Sequence, residues 1–160
     1  MNICVNIQNR TKVLHNKKMI NAETKQNSCF CVFHHMPFAR GKEGDDDGGH
    51  ILEKLIYKYP ESISDRAMEN FLSVIISFYT FTTLSLNNKQ IDFLSWSNSK
   101  VAIRIFETLD KTLIFFVLRV SSTYSDHAIS REIDFIKRGI FFALGPEQIS
   151  NIDVLKEYFR

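Results

Sequence analysis

Residues 100–120 read KVAIRIFETLDKTLIFFVLRV, and the fold is decided by how this stretch pairs with itself. In its first half Val101, Ile103 and Ile105 alternate with Ala102, Arg104 and Phe106, which is the two-residue period of a strand. The second half, TLIFFVLRV, does not alternate. A continuous apolar run of that length suits a central strand covered on both faces. Asp110-Lys111 lies between the halves and supplies a tight turn, so the two strands are expected to form an antiparallel hairpin.

Toward the C-terminus, Ser125 is placed to cap a helix whose first turn carries Asp126. Ile129, Ile133, Ile136 and Ile140 form its apolar stripe, Lys137 and Arg138 sit near its end, and Gly145-Pro146 is expected to stop it. A third helix is read in SNIDVLKEYFR, with Ile149, Ile152, Leu155 and Phe159 apolar, cut off at Arg160.

Toward the N-terminus, QIDFLSWS (90–97) reads as another strand, bounded by Asn87-Asn88 and Asn98. Before it, Ser64 and Asp65 open a helix in which Met68, Phe71, Leu72, Ile75, Ile76 and Tyr79 recur at three-and-four spacing. Val74 and Phe78 widen its apolar face, so this helix should lie between the sheet and a second surface. Residues 70–88 are free of charge, but six of the sixteen residues in FLSVIISFYTFTTLSL are Ser or Thr. That composition predicts a buried helix running into a strand, not a membrane span. Further back, HILEKLIYKYP (50–60) is a strand stopped by Pro60, with Leu55, Tyr57 and Tyr59 on one face and Lys54, Ile56 and Lys58 on the other. CFCVFHHM (29–36) is the first strand, and the acidic, glycine-rich RGKEGDDDGG (40–49) is an exposed loop joining the two as a hairpin. The expected order is strand, strand, helix, three strands, helix, helix: an α+β fold with a five-stranded, mainly antiparallel sheet packed by helices.

Composition agrees with one ordinary domain. The chain has 160 residues, 44% hydrophobic and 24% charged, which excludes a disordered, collagenous or coiled-coil chain. A net charge of +2 predicts no strong attraction to nucleic acid or anionic lipid. Residues 1–28 hold five basic residues and one acidic residue, a net of +4, and read as a flexible basic leader. No secretory signal is read in them. The folded domain is expected over 29–146, with 147–160 the start of a further helix. Three cysteines, Cys4, Cys29 and Cys31, do not make a disulfide framework and fit a reducing compartment.

No catalytic, metal or cofactor site is expected. Cys29, Cys31 and His35 share one strand face while His34 points to the other, and no second ligand pair follows at finger spacing. Asp45, Asp46 and Asp47 are consecutive, where a calcium loop needs alternate ligands closed by a bidentate Glu. The chain contains no G-x-S-x-G and no H-E-x-x-H. It also lacks G-x-x-x-x-G-K-[ST], and Gly41, Gly44, Gly48 and Gly49 lead into a strand, not onto a helix N-terminus.

The element order with its glycine-rich acidic loop resembles a longin (roadblock-related) domain. More narrowly, it is similar to the first longin domain shared by Inturned, the calcium-caffeine-zinc sensitivity protein and the Hermansky–Pudlak syndrome type 4 protein. The residues carrying the likeness are CFCVFHHMPF leading into KEGDDD, IYKYP, the paired strands of KVAIRIFETLDKTLIFFVLRV, and IKRGIFFALGP at a helix end. The likeness covers residues 29–146. It implies a subunit that heterodimerises with a second longin protein and contributes to guanine-nucleotide exchange on a Rab GTPase, without catalytic side chains of its own. It also implies cytoplasmic residence, with peripheral attachment to endosomal or lysosomal membranes only through the complex; the charge balance, slightly acidic beyond residue 28, argues for no nucleic-acid partner. In such pairs the first helix and an exposed central strand form the dimer surface, which here points to Phe71, Ile75, Phe78, Ile91 and Phe93. Family members continue into further longin domains, and this chain stops just after one. Two other classes stay open: a small longin module of the adaptor or SNARE-like kind, and a metal-dependent enzyme using the acidic loop and the Cys/His strand.

Overall fold

In a computed structural model of the chain, the residues described are 28–36, 51–85, 92–96 and 98–160. Residues 1–27 of the leader, with Cys4 among them, the acidic loop 40–49 and Ile91 lie outside them.

The hairpin of residues 100–120 forms as β4 (Ser99–Glu107) and β5 (Leu113–Ser121), paired antiparallel from Ser99↔Ser121 to Glu107↔Leu113. Its turn is closed by the Thr108 amide donating to the Thr112 carbonyl at 2.9 Å, with Lys111 in the left-handed region at φ 70°. On its other side β5 pairs antiparallel with β1 (Cys29–His35), and β1 in turn with β2 (Leu55–Tyr59). A three-residue β3 (Phe93–Ser95) completes the sheet beside β4. The order across the sheet is β2-β1-β5-β4-β3, which places the continuous apolar run at its centre.

Each face of β5 meets a different helical layer. Phe115 and Val117 face α1 (Asp65–Ser85), packing with Met68, Leu72 and Ile75. Ile114, Phe116, Leu118 and Val120 face α2 (Asp126–Ile149) and α3 (Ile152–Tyr158), packing with Ile129, Ile133 and Leu155. The run shows no polar alternation because both faces are covered. The alternating β4 obeys the same geometry, with Val101 and Ile103 toward α1 and Ala102 toward α2. Arg104 belongs to the α2 side, where its guanidinium donates to Asp134 at 2.7 Å and to Ser130 Oγ at 2.6 Å.

Polar contacts hold the helix starts. Ala67 donates its amide to Ser64 Oγ at 3.3 Å, and Ala128 donates to Ser125 Oγ at 3.1 Å, the N-caps of α1 and α2. Lys58 reaches Asp65 at 2.7 Å, and Lys100 reaches Asp126 at 2.6 Å, so each strand ties down a helix N-terminus. Among the described residues, no helix is long and apolar enough to cross a membrane.

Four local expectations change. Residues Ile51–Lys54 form a short 3-10 helix, so the second strand starts only at Leu55. A register shift between Val32 and Phe33 then breaks the expected alternation: Leu55 packs with the α1 layer, whereas Ile56 and Tyr57 both join the α2 layer. A bulge places one extra residue in a strand and so resets which face follows. The strand read over 90–97 is reduced among the described residues to Phe93–Ser95, and it lies at the sheet edge instead of the centre. Finally, Gly145 adopts φ 75°, ψ 159° and breaks the helical path, but the chain turns helical again through Pro146 to Ile149. Ile149 therefore ends α2 instead of starting the last helix, which is capped by Asn151. Ile149 and Leu155 are fully buried in the core that contains Phe30 and Phe116, so the last residues belong to the same packed body.

Candidate partner-binding surface

The helix α1 buries Met68, Leu72 and Ile75 against the sheet, and these positions define its inner face. Turning outward, Ala67, Phe71, Val74, Phe78 and Phe81 fall on one arc of the helix through their three-and-four spacing. Val74 is 38% exposed, Phe78 42% and Phe81 58%, and Leu84 beyond them is 74% exposed. Three aromatic or branched side chains along one helix, facing solvent, form an apolar ridge that nothing described in the chain covers.

Beside the ridge lies a groove of about 410 Å³, between the first half of α1 and the turn from β3 to β4. Phe71, Val74 and Trp96 are its apolar lining, and Asn70, Asn98 and Arg119 are polar. Trp96 is set there by a tight turn, its amide donating to the Ser99 carbonyl at 2.8 Å. Arg119 projects from β5, donates to Ser99 Oγ at 3.3 Å, and lies 5.9 Å from the centre of the Phe71 ring.

The residues expected to form one surface do not all meet. Phe71 and Phe78 share the outer arc, with Phe71 half-buried between groove and core. Ile75 is fully buried and is a core residue. Phe93 packs on the opposite face of the sheet, under Arg104 at 5.9 Å, while its neighbour Leu94 faces α1. Ile91 lies outside the described residues. Sequence reasoning missed Phe81, Trp96 and Arg119. Phe81 was open to detection, since it continues the 74-78 spacing by three. Arg119 was not, because its place beside Phe71 depends on a contact between strand and helix.

The cysteines and histidines of β1 are occupied by packing. Cys31 is completely buried, and burial pushes its thiol well above the usual range. Burial likewise pushes the Cys29 thiol up to about 11, with Arg119 opposing only in part. Neither is a thiolate near neutral pH, so neither is an activated nucleophile. His35 packs edge-on to Tyr79 and Phe115, its Nδ1 without a hydrogen-bond partner among the described residues, and burial beside Lys54 and His34 brings it down to about 4. Among the described residues, no three His, Cys, Asp or Glu side chains gather as a metal would need.

No known family profile matches the chain. It is similar to the petrobactin import ATP-binding protein YclP of Bacillus subtilis (strain 168), at 26% identity over 142 residues, covering 79% of this chain and 54% of that protein. The chain thus spans about half the length of the curated relative it matches. ATP binding in P-loop proteins uses a glycine-rich loop ending in G-K-[ST], and this sequence has no such stretch.

Proposed function

We propose that this chain is a longin-like subunit that pairs with a second longin-domain protein, in a complex that promotes guanine-nucleotide exchange on a Rab GTPase of the endosome–lysosome pathway. The observation supporting it is the apolar ridge of α1 raised on one face of a five-stranded antiparallel sheet. A ridge of that kind is stabilised by apolar contact with another protein, and it offers nothing to a small polar substrate. The role is one of association: exchange needs a surface that binds one state of the GTPase better than another, not an acid–base pair.

Affinity capture from cells tests the reading. The expected result is a second longin protein together with nucleotide-free Rab, and coat or SNARE components in their place would overturn it. Phe78→Asp should lower capture of that partner at least about tenfold, the scale of a central interface aromatic. Phe71→Asp should act in the same direction, and changes at Asp45–Asp47 should have less effect. Equal capture by both sets of variants rules out α1 as the contact.

A further inference from the structure

The four basic residues on the strands of the sheet are Lys58, Lys100, Arg104 and Arg119. Three have carboxylate partners: Asp65 for Lys58, Asp126 for Lys100, and Asp134 for Arg104. Arg119 differs. Among the described residues it donates to the Ser99 hydroxyl and lies near the Phe71 ring, with no carboxylate in ion-pair reach. The nearby Cys29 thiol stays protonated and supplies no counter-charge. A guanidinium lining an apolar groove, with donors left over, favours an incoming carboxylate, because partial desolvation strengthens that pairing and a planar fork matches its geometry.

The groove opens onto the ridge from Ala67 to Phe81. Fourteen helical steps of 1.5 Å make this about 21 Å, roughly four turns of an opposing helix. The acids of α1 itself, Asp65 and Glu69, stand two residues from Ala67 or Phe71, on roughly the opposite side of the helix from the ridge, so a second copy of α1 packed ridge to ridge brings no carboxylate to Arg119. We infer that the groove beside α1 receives an amphipathic helix of a different protein, whose apolar stripe carries one Asp or Glu that pairs with Arg119. The inference rests on the reading of α1 as the docking surface and adds the chemistry of what docks.

The test uses the full 160-residue chain as bait for a phage-displayed library of amphipathic helical peptides randomised along one face. Enriched peptides should share Asp or Glu at one fixed position among apolar residues. Changing that residue to Gln or Lys, or making Arg119→Gln in the protein, should weaken binding at least about tenfold. Arg119→Glu should restore binding of the Lys peptide. If Arg119→Glu does not fold, Arg119→Lys takes its place, and it should retain the acidic preference with weaker binding. Failure to enrich any peptide, or enrichment without a fixed acidic position, overturns the inference. Peptides that lack the acid yet lose binding on Phe78→Asp reject the role of Arg119 and leave α1 docking intact. Peptides indifferent to Phe78→Asp reject both.

Discussion

His35 lies on the α1 side of β1 between Tyr79 and Phe115, and its ring is held neutral by burial and by the positive Lys54. Its pKa falls from 6.5 to about 4 on folding, so between those values the unfolded chain binds more protons than the folded one. Stability is therefore complete above 6.5 and is lost as pH falls toward 4. Burial and neighbouring lysines shift His34 in the same direction. Denaturant midpoints taken from about pH 7 down to about pH 5 should show a loss on the order of 1–2 kcal/mol from His35. His35→Phe should flatten most of that slope. Ile75 and Phe78 are the second contrast at this scale. They are three residues apart on one helix, yet Ile75 is fully buried and Phe78 is 42% exposed. Ile75→Ala should cost about 2–5 kcal/mol in chemical denaturation, and Phe78→Ser less than about 1 kcal/mol. The reverse ranking in partner capture would separate core from contact. Periodicity placed both residues on the apolar side of the helix. Which of them the sheet covers depends on where the helix rests.

Among the elements, α2 is the one whose sequence signals were only half sufficient. Ser125 and Asp126 mark its start, and the cap forms as the residue types require. Ser125→Ala should lower stability by about 1 kcal/mol. The Gly145-Pro146 pair predicts its end, and the helical path does break there, since Gly145 sits at φ 75°, ψ 159°. That backbone region is essentially closed to residues with a Cβ. A Cβ at Gly145 would meet nothing within 4 Å, so Gly145→Ala should destabilise by about 1–3 kcal/mol through the backbone alone, without a packing clash. Calorimetry of that variant beside Gly139→Ala is the direct comparison. Gly139 is helical with equally open space around it, and there Ala should be neutral or stabilising. In β2 the bulge opposite Val32 moved Ile56 to the unexpected face. Alternation carries no mark of a bulge, because the sequence period is unchanged by it.

Across the whole molecule, the sheet separates two cores, one shared with α1 and one with α2 and α3. The second is closed by the end of the chain. Tyr57 of the edge strand β2 stacks on Phe159 with ring centres 4.4 Å apart, and Leu155 is fully buried. Removing residues 150–160 should therefore lower the thermal midpoint and raise binding of an apolar dye, while Leu155→Ala alone should cost about 2–5 kcal/mol. The first lies between the sheet and α1, and among the described residues nothing covers the outer arc of that helix, which keeps an apolar exterior. The residue order alone determined the strand hairpin at 100–120, the amphipathic helices and the α+β class, because these depend on local period and turn chemistry. Tertiary structure alone decided the rest: that β5 sits between β1 and β4, that Phe93 and Phe78 occupy opposite faces of the sheet, and that Arg119 comes to lie beside Phe71. Those facts join residues far apart in the chain. Their outcome rests on how strands order themselves across the sheet and where a helix settles on it, and no local pattern encodes either.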